Sequence, residues 1–129
     1  MAGARPCACP MDLALDCLDS ITAKTALEQT ALAAGVPFVH GSVLRDEGFC
    51  YANSGPAARL KELYPSGVDR QEEAMGRREG ISALAPASVA CLMVRLGLNI
   101  LLGRSPDSPL LHLDLSVPEL ERFSWSDKA

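Results

Sequence analysis

The stretch from residue 12 to residue 44 constrains the fold more than any other part of the chain. Residues 12–18 form a short apolar run, which predicts a buried strand. Residues 20–34 have the spacing of a helix, and residues 37–44 (PFVHGSVL) contain one phenylalanine and two valines, which predicts a second strand. A strand, a helix and a strand in this order and length predict a right-handed crossover, and therefore two parallel strands.

The predicted helix at residues 20–34 has clear signals at both ends. Asp19 or Ser20 can cap its first turn, and Gly35 can end it. Lys24 and Glu28 lie four residues apart, and we expect them to form an exposed ion pair. The stripe expected to face the sheet contains Ala23, Leu27, Thr30, Ala31 and Ala34.

The rest of the sequence predicts a single α/β domain. Its predicted parts are a turn at 45–48, a strand at 49–53, a short helix at 57–64, a long helix starting between Ser82 and Pro86 and ending at Gly103, and strands at 108–115 and 120–125. The short helix lies inside a charged, mobile crossing loop at 54–80. We expect an N-terminal tail at 1–11 and one domain at 12–129. Its fold class is a partial Rossmann-like parallel βαβ unit extended by antiparallel strands, with one long buried C-terminal helix.

The long helix is apolar enough to raise the question of a membrane span. Residues 81–103 contain Arg95, and an arginine near the middle of a bilayer costs about 3 kcal/mol. Ser88, Arg95 and Asn99 share one stripe of the helix, so we expect a soluble helix with a narrow polar edge. The opposite stripe is expected to contact the sheet closely through small residues, namely Ala83, Ala87, Ala90, Val94 and Gly97.

Composition narrows the classes of partner and the compartment. The net charge is −4 and no basic cluster is present, which argues against nucleic acid and against an anionic membrane surface. The five cysteines are odd in number and scattered, so they favour a reducing cytoplasm over a disulfide framework. Cys7 and Cys9 have the wrong spacing for zinc and no second pair.

Other reactive side chains have structural explanations. His40 and His112 lie on separate predicted strands without a metal-like neighbour, so we interpret both as structural. Cys17 and Cys91 lie in apolar elements and are expected to act as small hydrophobic residues. Cys50 lies near a turn and is expected to be the most exposed of these three thiols.

Three stretches together resemble a known family. They are DLALDCLDSITAK at 12–24, GVPFVHGSVLRDEGFCY at 35–51, and EGISALAPASVACLMVRLGLNILLG at 79–103 followed by LLHLDLSVPELERFSW at 110–125. In order and spacing they resemble the C-terminal half of the ThiF/MoeB/HesA family, the adenylyltransferases that are similar to ubiquitin-activating enzymes.

The resemblance implies an activity and a site. In that family the C-terminal carboxylate of a ubiquitin-like sulfur-carrier protein attacks the α-phosphate of ATP, which gives an acyl-adenylate and pyrophosphate. Asp19 matches the strand-end aspartate that holds the magnesium ion of the nucleotide, Ser20 replaces an asparagine and Lys24 replaces an arginine. The implied cofactors are ATP and magnesium, with Asp19, Ser20 and Lys24 as binding residues. A simple helix cap remains the alternative role of Asp19.

The sequence also departs from the family pattern. It contains no G-x-G-x-x-G turn, so we expect the isolated chain to be inactive without a glycine-rich nucleotide-binding half. The family cysteine falls at about Gly76, so we expect no catalytic residue here, and the absence of C-x-x-C pairs argues against zinc.

Two alternatives to the enzymatic function remain open. One is a non-catalytic dimerisation or protein-docking module, because an incomplete sheet exposes an open edge that self-association would cover, which also predicts a homo-oligomer. The other is an unrelated small-molecule binding domain with a crevice near Asp19 and Gly41.

Overall fold

A computed structural model describes residues 11–64, 83–105 and 107–125 of the chain. Within those ranges the elements are β1 (Ala14–Leu15), α1 (Ile21–Ala33), β2 (Phe38–Leu44), β3 (Glu47–Asn53), α2 (Leu60–Leu63), α3 (Leu84–Leu101), β4 (Leu110–Asp114) and β5 (Glu119–Phe123). Most of the predicted tail and residues 65–80 of the predicted crossing loop lie outside the described residues. The division into a tail and a single domain therefore stays a prediction.

The strands form one sheet in the order β1-β2-β3-β4-β5. β1 is parallel to β2, with Ala14 opposite Phe38, and α1 connects the two strands. The remaining neighbours are antiparallel. The predicted fold class, a parallel βαβ unit extended by antiparallel strands and completed by a long C-terminal helix, is confirmed.

Only two residues of the strand predicted at 12–18 are assigned to β1. The pairing with β2 continues for one further residue, because the Asp16 amide donates to the Val39 carbonyl at 2.9 Å. β1 has only β2 as a neighbour among the described strands. A strand with a partner on one side alone ends where that partner stops accepting its amides. The chain then leaves the sheet at the loop that leads into α1.

The sheet has an apolar face and a partly polar face. On the side of α3 the buried cluster consists of Val39, Cys50, Ala52, Val89 and Met93. On the side of α1 the buried cluster contains Ala31, Phe38, Tyr51 and Leu60. Five buried polar residues lie beside this second cluster, namely Asp16, Lys24, Glu28, His40 and Asn53. The polar chemistry of the interior therefore lies between α1 and the sheet.

α3 packs on β2 and β3 through a stripe that differs from the predicted one. The buried residues of this helix are Ala85, Val89, Met93 and Gly97. The predicted contact residues Ala83, Ala87, Ala90 and Val94 are exposed, so this prediction was wrong except for Gly97. The strands carry the small residues instead, since a Cβ atom on Gly41 or Gly48 would overlap the Met93 or the Val89 side chain. Glycine on the strands lets larger helix residues approach closely.

Among the described residues, one helix is long and apolar enough to cross a membrane by length and composition alone, and it is α3. In the fold this helix lies against the sheet along one side, and its outer side is exposed. The helix predicted as buried is therefore buried along one face only. A core helix of a soluble protein meets the same criteria of length and composition.

Gly48→Ala tests the close contact between α3 and the sheet. We expect this substitution to lower the free energy of unfolding by about 1 to 3 kcal/mol, because the new methyl group overlaps the stiff, β-branched Val89 side chain. Gly55→Ala is the matched control, because a Cβ there meets nothing closer than the Asn53 side-chain oxygen at 3.6 Å. Urea unfolding measures both variants, and equal stabilities would contradict the packing argument.

Candidate functional site

Asp19 lies in the loop between β1 and α1, and it is exposed to solvent. Ser20, and not Asp19, is the cap of α1, because its extended backbone (φ −121°, ψ 144°) lets its hydroxyl oxygen accept the Ala23 amide at 3.1 Å. The alternative that Asp19 serves as the cap residue is therefore not what the structure shows. The Asp19 carboxylate stands at the carboxyl end of a parallel strand, beside the N-terminus of a helix.

Asp16 fixes the loop that carries Asp19. Its side chain is completely buried, and one carboxylate oxygen accepts the Leu18 amide at 3.0 Å. The Lys24 ammonium group lies 3.2 Å from both carboxylate oxygens, and His40 Nδ1 lies 2.7 Å from Oδ2. A carboxylate with three donors in the interior is held in one orientation. The buried Asp16 carboxylate therefore fixes the conformation of the loop that exposes Asp19.

Lys24 and Glu28 are both buried, so the prediction of an exposed ion pair between them was wrong. Lys24 pairs with Asp16 instead, and its ammonium group also donates to the Gly41 carbonyl at 2.8 Å. Both of its described partners come from the two parallel strands and their loop. The ammonium group thus joins the end of β1 to the middle of β2.

Glu28 anchors the start of α2. Its Oε1 accepts the backbone amides of Arg59 and Leu60 at 2.9 and 3.1 Å, and its Oε2 accepts the Tyr51 hydroxyl at 2.5 Å. The first amides of a helix have no partner inside the helix, and the cap residue of α2 offers no side-chain hydrogen bond. A carboxylate from α1 therefore caps α2, and the start of α2 is attached to α1.

His40 is completely buried between Asp16 and Tyr64. Burial lowers its pKa, the hydrogen bond to Asp16 opposes that effect, and the Lys24 charge adds to the lowering, so the pKa lies below the ordinary value of 6.5. At neutral pH the ring is therefore neutral, with a proton on Nδ1 that it donates to Asp16. The prediction that His40 is structural missed its place in this network.

The pKa of Asp16 is set by opposing effects. Burial acts to raise it, whereas the hydrogen bond from His40, the charge of Lys24 and the Leu18 amide lower it, and the result lies below the ordinary value of 3.8. Asp16 therefore stays ionised at neutral pH, opposite the ammonium ion of Lys24. It contributes stability above pH 3.8 that is lost as the pH falls further through its folded-state pKa.

The lowered pKa of His40 predicts a loss of stability in mild acid. As the pH falls below 6.5, the unfolded chain binds a proton at this ring before the folded chain does, so the free energy of unfolding decreases. We expect His40→Gln to remove most of this decrease between about pH 7 and about pH 5. His112→Gln, which changes a histidine that contacts Glu47 at 3.1 Å, should retain it. Urea unfolding at the two pH values measures the effect, and equal acid sensitivity in His40→Gln and the unchanged chain would contradict it.

The solvent exposure of the three described cysteines is the reverse of the prediction. Cys50 is buried, and burial raises its pKa to about 12, so its thiol stays protonated and unreactive. Cys17 and Cys91 are exposed, although they were predicted to act as small hydrophobic residues. Cys7, Cys9 and Gly76 lie outside the described residues. Among residues 11–64, 83–105 and 107–125, no group of three or more metal-binding side chains is present.

The residues present fit a magnesium ion that is held mainly by a nucleotide. Magnesium typically takes one or two protein carboxylates and completes its shell with phosphate oxygens and water. Asp19 supplies one exposed carboxylate, and the neighbouring N-terminus of α1 favours the phosphate groups. Asp16 is not available, because Lys24 and His40 occupy its oxygens. Gly41 does not line an open crevice, since its Cα faces Met93.

Comparison with known proteins assigns the family. No curated protein matches the sequence of the chain. The model of the ThiF family matches residues 4–128, nearly the whole chain, and thereby confirms the predicted family. The chain therefore belongs to the ThiF family, and this membership suggests an adenylyltransferase-like activity in the activation of ubiquitin-like proteins.

Proposed function

We propose that the chain is part of an ATP-dependent adenylyltransferase that activates the C-terminal carboxylate of a ubiquitin-like sulfur-carrier protein. Membership of the ThiF family supports the reaction class. The observation that carries the assignment to this chain is the exposed carboxylate of Asp19 at the carboxyl end of β1, inside a parallel βαβ unit. Ligands of such folds bind in the crevice at this edge of the sheet.

Each of the three residues proposed for the site has a distinct role. Asp19 would hold the magnesium ion, which neutralises charge on the phosphates when it is bound. Ser20 starts α1 beside Asp19 and so places the positive end of the helix dipole next to the nucleotide. Lys24 acts through Asp16, because its ammonium group holds the carboxylate that shapes the Asp19 loop.

The nucleotide site would need residues beyond those of this chain. The sequence contains no glycine-rich phosphate-binding turn. We propose that such a half is supplied by the same polypeptide or by another chain, and that the 129 residues alone are inactive.

Pyrophosphate exchange tests this function. The isolated chain, mixed with Mg·ATP and a ubiquitin-like sulfur carrier with a free C-terminus, should not exchange labelled pyrophosphate into ATP. Addition of a glycine-rich half from a family member should start the exchange. Exchange by the chain alone would contradict the proposed inactivity. No exchange after addition of the second half and a panel of carriers would contradict the adenylyltransferase assignment.

A second candidate function, a dimerisation or docking module, is favoured by the outer face of α3. Leu84, Val94 and Leu101 on this face are 69%, 52% and 53% exposed. A helix with apolar residues on two opposite faces usually has a partner on each of them. We therefore also propose a homo-oligomer, in a reducing cytoplasm that suits the free thiols.

If the outer face of α3 forms the oligomer contact, a charged substitution on this face should lower the molar mass of the protein in solution. We expect size-exclusion chromatography with light scattering to give at least a dimer for the unchanged chain. Val94→Glu should give a monomer, because a charge on an apolar contact surface is costly to bury. Ala26→Glu places the same charge on the exposed side of α1 and should leave the oligomer intact. A monomer for the unchanged chain would contradict the proposal.

A further inference from the structure

A series of contacts, buried in the middle and partly buried at both ends, joins two segments that lie far apart in the sequence. At one end, the Leu18 amide donates to Asp16 directly before Asp19. In the middle, His40 Nδ1 contacts Asp16 at 2.7 Å. At the other end, His40 Nε2 lies 3.5 Å from the hydroxyl of Tyr64, the residue that follows α2. The loop of the proposed magnesium ligand is thus connected to the end of α2.

We propose that His40 is a positioning residue that ties the end of α2 to the loop bearing Asp19. The inference rests on the proposed function only for the role of Asp19 as a magnesium ligand. The contacts between His40, Asp16 and Tyr64 are present in the chain without a nucleotide. The consequence is that the end of α2 and the proposed metal-binding loop shift together.

The hydrogen-bond directions along this series are mutually consistent. A neutral imidazole that donates from Nδ1 to a carboxylate leaves Nε2 as an acceptor. The Tyr64 hydroxyl can donate to Nε2 and accept from Ser42, whose oxygen lies 2.5 Å away. Within the described residues, no buried side-chain nitrogen or oxygen lacks a hydrogen-bond partner. The network is therefore complete with one specific tautomer of His40.

Ring packing supports the long contact between Tyr64 and His40. The two rings meet edge to face with centroids 5.8 Å apart. On the other side, the Tyr51 ring lies 5.2 Å from the His40 ring, yet its hydroxyl donates to Glu28. His40 is therefore flanked by two tyrosines, of which only Tyr64 directs its hydroxyl to the imidazole. This difference provides a matched pair of variants.

The experiment compares Tyr64→Phe with Tyr51→Phe in the nitrogen-15-labelled chain by NMR, without nucleotide. In the unchanged chain, His40 should show a protonated Nδ1 and an unprotonated Nε2. Tyr64→Phe should shift the Nε2 resonance and raise hydrogen exchange of the Leu18 amide about threefold relative to amides of α3, somewhat less than the effect of one full hydrogen bond. Tyr51→Phe should leave the Leu18 amide unchanged relative to α3.

Two results would overturn the proposal. One is a proton on Nε2 of His40 in the unchanged chain, a measurement that needs no variant to fold. The other is an unchanged Leu18 amide in Tyr64→Phe, or an equal increase in both variants. Because neither readout involves ATP, a failure here is distinct from a failure of pyrophosphate exchange.

Discussion

Asp19→Asn is expected to reduce pyrophosphate exchange about 100-fold or more in the assembled enzyme, the usual scale for the loss of one electrostatic contact to a reacting phosphate. The exposed carboxylate at the end of β1 is the magnesium ligand of the proposed function. An amide oxygen carries no net charge, so it binds the Mg·ATP complex more weakly. The fold should be unaffected, because Ser20 caps α1.

The control for this variant is Asp12→Asn, which removes one charge from another exposed aspartate, one that precedes β1 in the sequence. It should retain nearly all of the exchange rate. Thermal unfolding of both variants checks that the fold is intact. If Asp19→Asn retains the activity of Asp12→Asn, Asp19 does not hold the metal and the proposed site is wrong.

Most of the fold could be predicted from local patterns in the sequence. Three local patterns carry this information, and each involves only residues that are close in the sequence. They are the alternation of apolar and polar residues, the glycines at helix ends (Gly35 and Gly103), and the spacing of strand, helix and strand. Both glycines adopt positive φ angles, 72° and 69°, which suit helix ends. The structure confirmed the parallel pair and the antiparallel extension for this reason.

The contact stripe of α3 could not be predicted, because it depends on residues of other elements. The residue pattern of α3 alone predicts that its stripe of small residues packs against the sheet. The space is provided instead by Gly41 and Gly48, which belong to β2 and β3. Only their position under Val89 and Met93 shows which side of the helix faces the sheet.

The buried polar network could not be predicted for a similar reason. Charged residues are almost never fully buried unless they are paired, so the sequence predicts that Lys24 and Glu28 face solvent. Their partners are Asp16, which lies eight residues before Lys24, and Tyr51, on a distant strand. The position of Asp19 was found because a family motif marks it, whereas no motif marks His40 or Tyr64.

Lys24→Met is expected to have the largest effect on stability, a loss of about 3 to 5 kcal/mol in the free energy of unfolding. Lys24 is 5% exposed, and its ammonium group is the cation that neutralises the buried Asp16. Methionine fills similar space but leaves the carboxylate with only the Leu18 amide and His40 as described donors. An ionised carboxylate in the interior without a counter-charge is strongly unfavourable.

The partner variant separates loss of the ion pair from loss of packing. Asp16→Asn combined with Lys24→Met removes both charges, so the double variant should be more stable than the sum of the single effects predicts. Lys61→Met changes an exposed lysine on α2 and should alter stability by no more than about 0.5 kcal/mol. Urea unfolding at neutral pH measures all four variants. Additive effects of the two buried substitutions would mean that Lys24 stabilises the fold through its aliphatic chain, and that its charge does not orient the loop of Asp19.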